Sequence, residues 1–321
     1  MEAFYINAQS IQIIRESDPQ AEEGLGFKLF VLKNEEWDQV PLLWPDHLDQ
    51  QLDWIEHLRE RDAIERQERV KEGALAFHPR FERLTHNVHY MCFRDVDEQL
   101  IERPIRFFIT LDAFVLLGWN GVNQERLSEW AGRGILTNPL ELACALGLRV
   151  LRHHQNQLEI IEDHMDLIEE EILTATRASQ LKQIISLHRQ ILGLKRSLNA
   201  HQSVFARLKN IEKPVYGDLQ EELIFEMQRV INNAHQTHEM IESLREAYQA
   251  AIDNRANDIM KVLSLVATII LPITLLTGFF GMNFNIMPFI HQSYGIIAFY
   301  GLSFIIILVV IGYFFKKKWL D

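Results

Sequence analysis

Charge is missing from one long stretch of this 321-residue chain. From Val262 to Phe315, 54 consecutive residues contain no Asp, Glu, Lys or Arg. Water does not tolerate an uncharged block of that length rich in Ile, Leu, Val and Phe, which excludes an ordinary soluble protein. A bilayer core takes about 20 helical residues per crossing, so the block has room for two helices and a many-span architecture is excluded as well. Cysteine is scarce: Cys92 and Cys144 stand far apart, with neither metal-site nor disulfide-framework spacing, and read as small buried apolar residues. There is no phosphate-binding Gly-rich loop, nucleophile motif or HExxH, so nothing points to an enzyme. A basic surplus is absent too. Residues 1–261 carry 29 basic and 43 acidic side chains, a net of −14, which argues against a nucleic-acid partner. That balance suits a protein that handles cations, and it equally suits plain solubility.

What is there begins with two spans. The uncharged block divides into residues 262–280, a connector 281–293 and residues 294–315. Lys316, Lys317 and Lys318 follow the second span, and Arg255 and Lys261 precede the first. The positive-inside rule then predicts that both flanks, and hence both termini, are cytoplasmic and the connector outside, in an inner or plasma membrane. The start, Met1 to Tyr5, has no basic segment followed by an apolar run, so no cleaved signal peptide is expected.

Residues 1–125 predict a cytoplasmic α/β domain. Residues 10–14, 27–32, 88–93 and 105–109 are β-branched or aromatic and partly alternating, as strands are. Residues 113–117 follow the turn-like Leu111-Asp112 and suggest a hairpin, while the charged, periodic stretch 45–72 suggests a helix. Residues 126–213 predict a cytoplasmic helical hairpin. Asn138 is placed to cap a helix with Pro139 in its first turn. Leu151, Leu158, Ile161, Met165, Ile168 and Ile172 mark one amphipathic helix, and Ile184, Leu187, Ile191, Leu194 and Leu198 a second, antiparallel to it. The first is acidic, with seven carboxylates between Glu159 and Glu171, and the second is basic. These charges read as solvated faces or as a cation-responsive contact between helices. From residue 214, Pro214 and Gly217 end that unit, and Asp218 with Glu221 looks like a helix start. No Pro intervenes until Pro272 and no Gly until Gly278, so residues 218–280 predict one stalk helix of about 95 Å that enters the membrane unbroken. A helix of that length needs partners along it, and self-association supplies them.

The first span ends in Gly281-Met282-Asn283, which resembles the GMN signature of the CorA family of magnesium channels. The neighbourhood is similar in type, order and spacing: residues 257–263 at the entrance, Leu271-Pro272-Ile273-Thr274 within the span, Met287-Pro288 in the connector, and the tail Lys316-Lys317-Lys318-Trp319-Leu320. The close resemblance covers about residues 250–321; Pro104 to Phe108 and Glu169 to Leu173 are similar in kind. The resemblance implies an α+β membrane protein: an N-terminal α/β cytoplasmic domain, a long helical stalk and two C-terminal transmembrane helices. It further implies a funnel-shaped homopentamer, in which the first span lines the pore and the second faces lipid.

Asn257, Met260, Leu263, Ala267, Leu271, Thr274 and Gly278 recur at steps of three and four, so they share one helix face. Small residues there allow close helix packing. With Asn257, Thr274 and the terminal motif on the same stripe, they read as pore-lining. Mg2+ releases its water reluctantly, and neutral oxygens can hold a hydrated ion without trapping it. By resemblance Gly281, Met282 and Asn283 form the selectivity filter, Asn257 and Thr274 make polar rings, and Met260, Leu263 and Leu271 make apolar constrictions. Mg2+ is then both the transported and the regulatory ion, with Co2+ or Ni2+ as further cargo and no organic cofactor. Residues 218–258 hold nine acids against three arginines. The resemblance places a regulatory carboxylate at Glu222 and a basic ring at Lys316, Lys317 and Lys318; it does not assign the counterpart of Glu222 on the N-terminal domain, for which Asp95 and Asp97 are the candidates. One departure stands out: Phe289-Ile290 follows Met287-Pro288 where many relatives have an acid, and the connector has no carboxylate at all. Local enrichment of divalent ions at the mouth should be weaker for it.

His235, His238, Glu239 and Glu242 are spaced to share part of the stalk helix, a pattern able to hold Zn2+ or Ni2+. His153, His154 and His291 are further candidates. They keep open a zinc transporter of the same superfamily, and a weakly conducting membrane-anchored sensor or scaffold is the third expectation.

Overall fold

The structure is a computed structural model. It describes residues 2–7, 11–13, 26–33, 36–40, 43, 54–61, 64, 79–84, 87–96, 102–117, 128–130, 132, 138–208, 218–282 and 294–317. These form two compact units. The first comprises Met1–Glu170 and Ala178–Leu244, the second Glu171–Arg177 and Arg245–Asp321.

The first unit opens with a seven-stranded sheet: β1 (Glu2–Asn7), β2 (Ile11–Ile13), β3 (Gly26–Leu32), β4 (Arg80–Arg83), β5 (His89–Val96), β6 (Glu102–Ile109) and β7 (Ala113–Leu117). The spatial order is β2-β1-β3-β7-β6-β5-β4, and only β3 with β7 is parallel. The β6–β7 hairpin forms where Leu111-Asp112 suggested it, closed by Thr110 N–H donating to the Ala113 carbonyl at 2.9 Å. Both faces of the sheet are covered, which is why β7 reads as a continuous apolar run with all five residues buried. On one face Tyr90, Cys92, Phe108, Val115 and Leu117 pack with Trp37, Val40 and Ile55 and Leu58 of a short helix at 54–61. On the other, Phe93 meets Phe107 edge to face and Phe107 stacks on Phe114, with ring centroids 4.8 and 5.0 Å apart.

That second face meets helices. α1 (Pro139–Thr174) starts as expected, with Asn138 Oδ1 accepting from Glu141 N–H at 2.9 Å. α2 (Ala178–Leu208) returns antiparallel, since His154 touches Ser197 and His201, residues about equally far from the connector. Phe205 of α2 reaches Phe93 of the sheet, with centroids 5.2 Å apart. α3 (Asp218–Phe280) runs continuously over 63 residues. Its first part buries Leu223, Met227, Val230, Ile231, Ala234, Thr237, Ile241 and Leu244, steps of three and four with one doubled position. It lies parallel to α1: Asn233 Nδ2–H donates to Gln155 Oε1 (2.9 Å) and Thr237 Oγ1–H to Glu162 Oε1 (2.6 Å). The three helices converge at Gly147, where a Cβ would come within 2.9 Å of Leu223 Cδ1 and 3.2 Å of the Phe205 ring.

Two buried histidines tie the helices together, and one of them reaches the sheet. His201 Nε2 accepts from the backbone N–H of Arg94 on β5 at 3.0 Å, while its Nδ1–H donates to the Ser197 carbonyl at 2.9 Å. His154 donates from Nδ1 to the Val150 carbonyl (2.8 Å) and accepts from the Ser197 hydroxyl at Nε2 (3.1 Å). Burial holds both rings neutral. It lowers His154 to about 4 and His201 well below its ordinary value, each despite a backbone hydrogen bond that opposes the shift. Cys144 is also buried, which pushes its thiol up to about 12, with Glu141 adding to the shift; Cys92 is buried as well, and both are free.

In the second unit the tail of the α1–α2 turn is held by the following helix. Tyr248 Oη–H donates to the Arg177 carbonyl (3.3 Å) and Arg255 Nη1–H to the Thr176 carbonyl (3.2 Å). The rest of α3 and α4 (Gly295–Lys316) are both long and apolar enough to cross a membrane. None of the most apolar 18-residue stretch of α3 is buried within the chain. A soluble protein's core helix would be buried, so the exposure of this one matches a bilayer environment.

Candidate functional site

The membrane part of α3 has two faces. Lys261, Leu265, Ile269, Pro272, Ile273, Leu276 and Phe280 are half-buried, at steps of one, three and four. On α4, Gly295, Phe299, Ser303, Ile306, Ile307, Val310, Ile311 and Phe314 are the corresponding half-buried or buried residues. The Phe280 and Phe299 rings meet edge to face with centroids 5.9 Å apart. These two stripes therefore make the contact between the helices.

Opposite that contact lies the stripe singled out in the sequence. Asn257, Met260, Leu263, Ala267, Leu271, Thr274 and Gly278 are all exposed. At 100° per residue they fall between about 120° and 180° around the helix from Ile269. Leu271 is 76% exposed and Leu263 67%. A lipid-facing residue and a pore-facing residue both appear exposed on one chain; position relative to α4 separates them. The stripe faces away from the helix that covers the other side, and it alone carries Asn257, Thr274 and Gly278 together.

Hydroxyls along the span satisfy their own donors locally. Thr274 Oγ1–H donates to the Ile270 carbonyl (2.9 Å), Thr277 Oγ1–H to Thr274 (2.9 Å) and Thr268 Oγ1–H to Ser264 (2.7 Å). With the proton spent inside the helix, the oxygen lone pairs of Thr274 remain acceptors for an ion's waters. Pro272 has no N–H, so the Thr268 carbonyl loses its helical donor one turn earlier.

The helix ends at the motif. Gly281 N–H donates to the Thr277 carbonyl (2.9 Å) and Met282 N–H to that of Phe279 (3.3 Å). A Cβ at position 281 would stand 3.1 Å from the Thr277 oxygen, so glycine suits the close turn. Met282 is exposed. Asn283 lies outside the described residues, as do Asp97, His291 and Lys318.

The remaining candidates scatter. Glu222 is exposed on α3. Asp95 is buried on β5, with its Oδ1 2.6 Å from His153 Nδ1. Lys316 and Lys317 are exposed at the end of α4, where cations complement the helix C-terminus, and Lys317 Nζ lies 6.0 Å from the Tyr313 ring centroid. His154 is buried in the core with both ring nitrogens hydrogen-bonded, to the Val150 carbonyl and the Ser197 hydroxyl. His238 and Glu242 of α3 are joined by His188 of α2, a residue that the sequence reading passed over. One ligand atom from each of the three lies within 4.8 Å of the others. No periodicity within one helix could have shown that juxtaposition.

The chain matches the family model described as CorA-like Mg2+ transporter protein over residues 44–318. A cobalt/magnesium transport protein CorA of Thermotoga maritima is 30% identical over 171 residues, 51% of this chain and 48% of that protein. A zinc transport protein ZntB of Yersinia enterocolitica is 26% identical over 168 residues, 50% of this chain and 51% of that protein. The matched region thus spans about half the length of these curated relatives. Among solved structures, the complete CorA magnesium transporter of Methanocaldococcus jannaschii superposes with a TM-score of 0.75 at 16% identity, covering 100% of this chain and 99% of that one. At that identity the likeness establishes the fold.

Proposed function

The chain belongs to the CorA-like Mg2+ transporter family, and from that premise we propose that it forms a channel for hydrated Mg2+. The family is one of divalent cation transporters rather than enzymes, and the two membrane-length helices fit that role. One hairpin cannot enclose a pore, so several copies must; the family resemblance gives a funnel-shaped homopentamer in the inner or plasma membrane with both termini in the cytoplasm. The observation that carries the reading is the exposed stripe from Asn257 to Gly278, turned away from α4 and ending at Gly281 and Met282. In a closed ring that stripe faces the axis. Its oxygens at Asn257 and Thr274 would receive the waters of the hydrated ion, and Gly281, Met282 and Asn283 would form the filter. Met260, Leu263 and Leu271 would set apolar constrictions that close by dewetting.

Gating in this reading uses Mg2+ held between cytoplasmic domains of neighbouring subunits, with the exposed Glu222 as a sensing carboxylate. Bound ions neutralise facing acids and hold the pore closed; their loss leaves like charges in repulsion. The His153 contact of Asp95 makes it a poor counterpart, because its carboxylate is already engaged inside the domain. Lys316, Lys317 and Lys318 would form a basic ring that anchors α4 at the anionic inner leaflet.

The test is Mg2+ uptake by liposomes holding the purified protein and an internal Mg2+ dye, beside Asn283→Ala. The expected result is flux in the wild type that falls to the level of empty liposomes in the variant. Absence of flux with Mg2+ stripped from the cytoplasmic side and the oligomer intact overturns the reading. Zn2+ uptake that Mg2+ fails to compete, driven by a proton gradient, would instead assign the chain to zinc; the similarity to ZntB makes that the second reading.

A further inference from the structure

We propose that His188, His238 and Glu242 form a binding site for one imidazole-preferring transition-metal cation of the Zn2+ class, which clamps α2 to α3. The site lies outside the stripe described above and does not depend on what the channel conducts. His238 and Glu242 are four residues apart on α3 and so share a face. His188 approaches from α2, with its ring centroid 5.4 Å from that of His238 and its Nε2 3.1 Å from Glu242 Oε1. A tetrahedral zinc with bonds of about 2.0–2.1 Å sets neighbouring ligand atoms about 3.4 Å apart. One edge of that tetrahedron is already present, and the ligand atoms of all three residues lie within 4.8 Å of one another. Two imidazoles and one carboxylate leave a fourth position for water, and the half-exposed His188 and Glu242 side chains leave a way in.

The donor set selects the ion. Imidazole suits Zn2+, Ni2+ and Co2+, whereas Mg2+ prefers an all-oxygen shell and keeps most of its water. The site therefore reads a different ion from the one assigned to the pore.

Lys195 supplies the competitor. Its Nζ stands 3.4 Å from His238 Nδ1, so without metal the ammonium occupies that ring's lone pair. An ammonium cannot share a site with a divalent cation at this range, so metal must displace it. Binding is then an exchange: Lys195 swings to solvent, and a weak helix–helix contact is replaced by a coordinated one.

The experiment uses the full chain in detergent, stripped with a chelator and dialysed. Zn2+ is titrated against a chromophoric zinc chelator, and Co2+ serves as a second probe through its visible d–d absorption. The expected result is one tight Zn2+ per chain that His238→Ala and His188→Gln each weaken by at least about 100-fold, a loss no smaller than that of an outer-shell partner. Zn2+ should also raise the melting temperature of the wild type and leave that of the two variants unmoved. Lys195→Met should bind Zn2+ more tightly than the wild type. Zn2+ held equally by wild type and His238→Ala, both with native circular dichroism, overturns the site. A Lys195→Met chain with unchanged affinity overturns the exchange. Neither readout involves flux, so failure here is separate from failure of the channel reading.

Discussion

One helix, α3, lives in two environments, and the contrast between them separates what folds the chain from what lets it act. Between Asp218 and Leu244 it buries a residue at every third or fourth position, and its polar side chains bond to specific partners on α1 and α2. Beyond Tyr248 its side chains are at most half-buried within the chain, and large apolar ones such as Leu271 and Leu275 lie bare. The first part is finished by its own chain. The second is covered by its own chain on one side alone, where α4 lies, and in the channel reading lipid and other copies complete it. Substitutions should therefore cost stability in the first part and leave it unchanged in the second.

The largest expected effect tests that contrast directly. Phe93 is fully buried and touches the rings of Phe107, Phe205 and His201. Phe93→Ala should destabilise the chain by about 3–5 kcal/mol, through lost transfer energy and the cavity left behind. Leu271→Ala removes a large apolar side chain as well, yet it should move the same unfolding transition by less than about 0.5 kcal/mol, as exposed positions do. Pulse proteolysis of the detergent-solubilised chain across a urea series measures both. Equal losses would erase the distinction between the two parts.

A second test uses pH, since titrating core groups belong to the first part alone. Unfolded, His154 takes its proton near 6.5; folded, only near 4. Between those values the unfolded chain binds more protons, so stability is fully present above about 6.5 and is lost as pH falls toward 4. His154 alone accounts for about 3 kcal/mol over that window, and His201 acts in the same direction. Melting temperature at pH 7.5 and pH 5 checks this. His154→Gln should lower the plateau and flatten the acid limb; an unchanged acid limb would show that the buried histidines do not carry it.

The two parts also differed in how much the sequence disclosed. The spans were legible because lipid demands about 20 uncharged residues, a constraint written in every position. The stalk helix was legible from missing Pro and Gly, and the α1 start from Asn138-Pro139. In the sheet, β3, β5, β6 and β7 showed through their aromatic and β-branched runs. β4, Arg80-Phe81-Glu82-Arg83, did not: it has one apolar residue and is held by its edge pairing with β5. β1 was missed although Ala3 to Ile6 carries a fair signal, because its partners β2 and β3 only become neighbours in the fold. The stripe on α3 was legible as periodicity within one element. Its direction relative to α4 was not, nor was His188 beside His238, since both depend on which helix faces lie together. Arg94 and Arg106, buried in the sheet, contradict the ordinary expectation for charged residues and left no mark in the pattern.

The smallest expected change in stability is also the one that separates folding from transport most sharply, because it uses one residue type in both parts. At Gly147 a new Cβ meets buried Leu223 and Phe205, so Gly147→Ala should cost about 1–3 kcal/mol from overpacking, offset in part by better helix propensity. At Gly278 nothing lies within 4 Å of the added atom. Gly278→Ala should therefore keep the single-chain fold and gain up to about 1 kcal/mol of helix propensity. Bulk at this position matters only if other chains face it. Gly278→Leu should leave the chain at least as stable as the wild type, by the same propensity argument, yet reduce Mg2+ uptake by liposomes, because each copy would push an isobutyl group toward the axis near the filter. The control is Gly312→Leu on α4, an exposed glycine with nothing within 4 Å of an added Cβ, where the same isobutyl group faces lipid in the channel reading and uptake should persist. Loss of uptake in both variants, or in neither, would remove the exposed stripe of α3 from the pore; loss in Gly278→Leu alone, with stability kept, would place it there.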